Sequence, residues 1–108
     1  MEELSKCKCE ACEGGVDPLS PEQYEPYVEQ VPGWQVEENK QITRNLQFEN
    51  FAEAMSFVNK VGDIAEDEGH HPDILIHGWN RVRITLWTHA IGGLSVNDFI
   101  VAAKIDRI

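Results

Sequence analysis

The sequence predicts an α+β domain of two layers, a four-stranded antiparallel sheet with three helices packed on one face. Three observations carry this. Apolar and polar residues alternate with the period of a half-buried strand in two separate regions, from Gln41 to Phe48 and from Ile74 to Leu86. The strongest helical repeat of the chain, Phe51 to Ala65, lies between them. Helix-start signals precede Pro21, Phe51 and Val96. A chain of 108 residues has room for one such core and no second domain.

In chain order, residues 1–18 show no periodicity, and Gly14-Gly15 with Asp17-Pro18 reads as a linker. A flexible N-terminal tail of 1–18 ahead of one domain of 19–108 is therefore expected. Removing that tail is expected to leave activity and stability unchanged. Ser20 can cap a helix whose first position suits Pro21, with Gln23 completing a capping box. Pro26 would clash inside this helix, so the element should be short or kinked, and Pro32-Gly33 ends it. Trp34-Gln35-Val36 begins a strand that turns at Glu38-Asn39-Lys40. Ile42, Arg44, Leu46 and Phe48 then alternate with Gln41, Thr43, Asn45 and Gln47. Asn50 and Glu53 form the next cap, ahead of the apolar stripe Phe51, Ala54, Met55, Val58, Val61 and Ala65. Phe57 and Ile64 fall off that stripe, more apolar surface than one sheet face covers, which predicts an oligomer interface.

Gly69 suits the left-handed conformation that follows many helix ends, and Pro72 pushes His71 out of the helical region. A third strand runs from Ile74 to His77, and Gly78-Trp79-Asn80 forms a turn. A fourth strand alternates through Val82, Ile84 and Leu86. Ser95 caps a last helix with Val96, Phe99, Ile100 and Ala103 on its apolar face; Lys104 and Arg107 suit its C-terminal dipole. Hairpin plus helix thus occurs twice, a loose internal doubling.

The net charge of -10, from 19 acidic and 9 basic residues, leaves no basic cluster for a phosphate backbone or an anionic lipid surface. No apolar run is long enough to span a bilayer. The opening MEELSKCKCE has no apolar stretch of the signal-peptide kind, so a cytoplasmic protein is expected. Cys7, Cys9 and Cys12 read as reduced thiols on the tail. Their C-x-C-x-x-C spacing suggests a metal site, but structural zinc wants a fourth ligand and none is nearby.

All four histidines fall between residues 70 and 89. Folding the second hairpin about Trp79 makes paired residue numbers sum to about 158, which brings His89 beside His70. Imidazoles titrate near neutrality, so neighbouring ones can give and take protons. Glu66 stands four residues before His70, the spacing at which a carboxylate on a helix orients a ring. His89 shares its strand face with Arg83, Thr85 and Trp87 and should point away from the core. Three histidines could also hold zinc. The side chains of adjacent His70 and His71 diverge, however, so a metal-free site is expected. His77 reads as a polar strand end.

Glu66, His70-His71-Pro72, Trp79, His89 and Asp98 together resemble the signature of the pterin-4a-carbinolamine dehydratase family, as does the whole stretch EDEGHHPDILIHGWNRVRITLWTHAIGGLSVND. The likeness runs from Leu19 to the C-terminus and includes Pro32-Gly33-Trp34 and the helix start at Phe51 and Ala54. It implies two hairpins with intervening helices, and a reaction without cofactor or metal. In that reaction a 4a-hydroxytetrahydropterin, released by aromatic amino-acid hydroxylases, becomes quinonoid dihydropterin plus water. The resemblance implies that His70 and His89 are the acid/base pair, in either order, and that His71 positions the substrate or acts electrostatically. Glu66, Trp79 and Asp98 would bind or orient, with Glu66 on His70. Asp98, three residues after Ser95, also has the simpler role of a helix cap, and Trp79 that of packing in its turn. Gly69 stands where many members carry an acidic residue, so no role for that carboxylate carries over. The implied partners are the pterin, a functionally linked hydroxylase, and further copies of the chain in a homodimer or homotetramer. Some members instead act as non-catalytic dimerisation partners of a homeodomain transcription factor. Retention of all three motif histidines favours the enzyme.

Overall fold

The computed structural model describes residues 3–10 and 16–108. It is the expected α+β architecture, with α1 (Pro21–Gln30), β1 (Gln35–Glu37), β2 (Gln41–Gln47), α2 (Phe51–Glu68), β3 (Asp73–His77), β4 (Arg81–Leu86) and α3 (Val96–Ile105). The sheet is antiparallel in the order β1-β2-β4-β3, so the two hairpins meet through their second strands.

Both hairpins turn in the same way. Glu38 and Asn39 take left-handed backbone conformations, as do Gly78 and Trp79 forty residues later. Two successive left-handed residues match the twist of the flanking strands. The second turn is tied to β2 by Asn80, whose side chain donates to the Phe48 carbonyl at 2.9 Å, while Phe48 N–H donates to the Asn80 carbonyl at 2.8 Å. The pairing Asp73↔Thr85 through His77↔Arg81 follows, with residue numbers summing to 158.

Ile42, Val82, Ile84 and Leu86 line the inner face of the sheet and are fully buried. Against them pack Ala54, Phe57 and Val61 of α2 and Phe99, Ile100 and Ala103 of α3. The α2 seam differs from the predicted stripe. Phe57 is buried, its ring 5.0 Å from that of Phe48, whereas Phe51 is exposed. The seam passes through 54, 57, 61, 65 and 68, and a stripe drawn through Met55 and Val58 sits about 100° away from Phe57's side of it. Phe57 is therefore core and not spare interface surface. The first helix also continues through Pro26 to Gln30. The lost hydrogen bond belongs to the exposed first turn around Glu22, where water can replace it.

Residues 3–10 depart from the expectation of a flexible tail. A 3₁₀ turn at Leu4–Lys6 lays Leu4 into the core at 3% exposure, and Leu4 N–H donates to Gln30 Oε1 at 3.0 Å. Further along, Cys9 N–H donates to Glu68 Oε1 at 2.8 Å, and Glu10 and Asn97 exchange two hydrogen bonds of 3.1 and 2.6 Å. The segment covers α3, which is why that helix is buried around most of its circumference.

Glu68 is the hub of this docking. Its carboxylate also accepts Lys104 Nζ at 2.7 Å and lies 3.6 Å from Lys8 Nζ. Burial alone would raise its pKa. The hydrogen bonds from Lys104 and from the Cys9 amide, with the charges of Lys104 and Lys8, outweigh burial and lower it from 4.5 to about 2. A carboxyl depressed in the folded state stabilises the fold above its unfolded pKa and loses that contribution as pH falls towards its folded one. The thermal midpoint of the wild type should therefore exceed that of Glu68→Gln above pH 4.5, and the gap should close as pH falls towards about 2. A gap that stays constant across this range would refute the assignment.

Candidate active site

The last turn of α2 sets the position of the histidines. Gly69 adopts φ 64°, and the amides of Gly69 and His70 both donate to the Ala65 carbonyl. This closes the helix and swings the chain out of it at His70. After β4, Thr88 and Gly93 form a bridge that encloses a 3₁₀ turn, His89–Ile91, ended by left-handed Gly92. Gly93 is required there, because a Cβ would lie 2.6 Å from Pro18 Cβ. The two turns meet at an open cleft of about 460 Å³ lined by His70, His71, His89, Trp87, Thr88 and Asn97, together with Gly69, Glu68, Ala90, Cys9 and Glu10.

His70 is largely enclosed, and its Nε2 lies 2.6 Å from Asp98 Oδ1. Asp98 is fully buried, and its other oxygen accepts Thr88 Oγ1 at 2.8 Å and Ser95 N–H at 2.9 Å. A carboxylate can only accept, so His70 Nε2 carries the hydrogen of this bond and Nδ1 is the ring atom able to take up a proton. Asp98 thus caps α3 through Ser95 and holds a histidine. The cap on α3 is the role its distance from Ser95 predicted, and the bond to His70 is one the sequence did not indicate.

Glu66 pairs with His71, at 2.5 Å between Oε2 and Nε2, and not with His70 as the sequence spacing suggested. The i,i+4 rule holds only while the helix continues, and the helix stops at Glu68. The pair is solvent-facing, with His71 61% and Glu66 79% exposed at their side chains. His89 is exposed and lies against Trp87, the ring centroids 3.8 Å apart. Trp79, in contrast, sits in the β3–β4 turn at the opposite end of the hairpin from His70 and does not line the cleft. His77 also lies at that far end.

Several lining residues carried no sequence signal. Thr88, Trp87 and Asn97 are ordinary residue types whose role depends on the loop closing. Cys9 and Glu10 arrive from a segment without periodicity. Burial, together with the charge and hydrogen bond of Glu68, pushes the Cys9 thiol up to about 12, so it stays protonated near neutral pH and is a poor nucleophile. Cys12, the last member of the C-x-C-x-x-C spacing, lies outside the described residues.

Comparison with known proteins bears on the family and the fold. The sequence profile of the pterin 4 alpha carbinolamine dehydratase family matches residues 17–108. A protein of Rubrobacter xylanophilus, provisionally named a pterin-4-alpha-carbinolamine dehydratase, is 48% identical over 108 residues, covering 100% of both chains. One of Alkaliphilus metalliredigens with the same provisional name is 44% identical over 99% of this chain and 96% of its own. A crystal structure of a transcriptional coactivator/pterin dehydratase from Brucella melitensis superposes with a TM-score of 0.77 at 30% identity, covering 84% of this chain and 97% of that one. The chain belongs to the pterin 4 alpha carbinolamine dehydratase family of hydro-lyases.

Proposed function

We propose that the protein dehydrates a 4a-hydroxytetrahydropterin to quinonoid dihydropterin by acid/base catalysis from His70 and His89. The observation that carries this reading is the bond from His70 Nε2 to the buried carboxylate of Asp98, in the same cleft as His71 and His89. In the reaction the 4a-hydroxyl gains a proton and leaves as water, the C4a–O bond breaks, N5 gives up its hydrogen, and the N5=C4a double bond forms. One proton is delivered and one is removed, so the elimination needs two groups and no redox partner. Asp98 fixes the tautomer of His70, leaving Nδ1 to exchange the proton. Glu66 holds His71 at the mouth of the cleft, where it positions the substrate, and Trp87 supports the ring of His89. Recycling of tetrahydropterin beside an aromatic amino-acid hydroxylase, in the cytoplasm, is the setting this chemistry fits.

A second reading, a non-catalytic binding partner, draws on the coactivator part of the Brucella melitensis protein's name. It gives the two histidine–carboxylate pairs no task. Spectrophotometric decay of 4a-hydroxytetrahydropterin with and without protein separates the two. His70→Ala and His89→Ala should each lower the rate by roughly 10²–10⁴-fold while the fold survives, and chelators should have no effect. Full activity in either variant would exclude the assignment, and loss on chelation would point to a metal.

We also propose a homodimer or homotetramer. β3 is an edge strand with Leu75 54% exposed on the outer face, Ile74 36% exposed, and Trp79 61% exposed at its turn. An apolar edge with unpaired backbone groups is a template for another chain. Sedimentation at micromolar concentration should give twice or four times 12.3 kDa, and a monomer would refute it.

A further inference from the structure

Residues 3–10 belong to neither the sheet nor its three helices, and they lie outside the stretch matched by the family profile. Even so, Cys9 and Glu10 line the same cleft as His70, His71 and His89. The contacts that hold them there are specific. Glu10 N–H donates to Asn97 Oδ1, and Asn97 Nδ2 donates back to the Glu10 carbonyl. Cys9 N–H donates to Glu68, and Leu4 anchors the far end of the segment in the core. Both anchoring side chains stand beside the catalytic groups in sequence: Asn97 precedes Asp98, and Glu68 lies two residues before His70.

We propose that residues 3–10 are a strap that completes the substrate pocket, and that Asn97 and Glu68 are positioning residues that hold Cys9 and Glu10 as its wall. The identity of the substrate, though not the docking of the strap, rests on the dehydratase reading. Without the strap, the sheet and helices would leave the cleft open on the side that Cys9 and Glu10 now occupy. The side chains that carry the strap bond its backbone, so they fix its path and not its surface. Substrate would gain contact area and lose water on that side, which changes binding more than proton transfer. The Rubrobacter xylanophilus relative matches over the whole chain, so its length also accommodates such a segment.

The test uses the full chain and two variants that loosen the strap at opposite ends. Asn97→Ala removes both bonds to Glu10, and Leu4→Ala removes the core anchor without touching the residues next to His70 or Asp98. In the wild type, the amides of Cys9 and Glu10 should be protected from hydrogen exchange. Both variants should lose that protection while the strands keep theirs. The imidazole resonances of His70 and His89 should shift in both. KM for 4a-hydroxytetrahydropterin should rise roughly tenfold in both variants as the strap's wall is lost, with kcat of Leu4→Ala within about threefold of wild type. Unprotected Cys9 and Glu10 amides in the wild type, or wild-type imidazole spectra and KM in both variants, would overturn the proposal. A wild type that does not turn over the adduct would overturn the dehydratase reading instead, and the strap would still be judged on amide protection and the imidazole spectra.

Discussion

Asp98 carries its carboxylate at 0% exposure, and a charge withdrawn from water persists only where hydrogen bonds replace its hydration. Each donor comes from a different part of the chain. Ser95 N–H comes from the start of α3, Thr88 Oγ1 from the loop after β4, and His70 from the exit of α2. Removing any one of them would leave the buried carboxylate a hydrogen bond short. The loop from 88 to 93, the first turn of α3 and the end of α2 are consequently fixed relative to one another by one group. Gly93 contributes from the other side, because its lack of a side chain lets Pro18 close over the loop. The histidine site is where these constraints meet.

The parts of this arrangement that could be read from sequence are those fixed by local chemistry. Asn50 accepts Glu53 N–H at 2.8 Å, Gly69 is left-handed, and the hairpin about Trp79 has the predicted register, because caps and turns depend on a few adjacent residues. That register alone placed His89 near His70. The pairing of carboxylates with histidines was not legible, since it depends on how far a helix extends and what packs across it. Glu66 and His70 have helical spacing, but the left-handed Gly69 ends the helix between them and brings His71 to Glu66 instead. Asp98 was legible as a cap from its distance to Ser95. Its second oxygen reaches His70 across 28 residues, which no local pattern encodes.

The N-terminal segment illustrates a related limit. Its sequence lacks periodicity because it is bound by isolated contacts and not by a continuous face. One leucine enters the core, and much of the remaining hold comes from backbone amides and a carbonyl that any residue type could present, with Lys8 beside Glu68 and the Cys9 thiol on the Asn97 carbonyl adding to it. The lack of periodicity therefore reads as a flexible tail where the structure has residues 3–10 docked, while the Gly14-Gly15 linker reading lies outside the described residues. The partners do carry a trace of it. Glu68 falls on the buried seam of α2, and Asn97 is buried in the first turn of α3, positions where a polar side chain must find a hydrogen bond.

The three cleft histidines end up in unlike surroundings, and on the dehydratase reading that difference matters. His70 has 12% of its side chain exposed and is held by a buried carboxylate that Thr88 and Ser95 bond in turn, which fixes the orientation of its ring. His71 and His89 face solvent, one on an exposed carboxylate and the other on an indole face. Elimination of water needs one group aligned closely with the ring atom it serves and another able to exchange protons and release water to the bulk. Enclosure of His70 suits the first requirement, and the open side of the cleft suits the second. One fold can thus give chemically identical imidazoles different tasks by controlling how each is held and what it is exposed to.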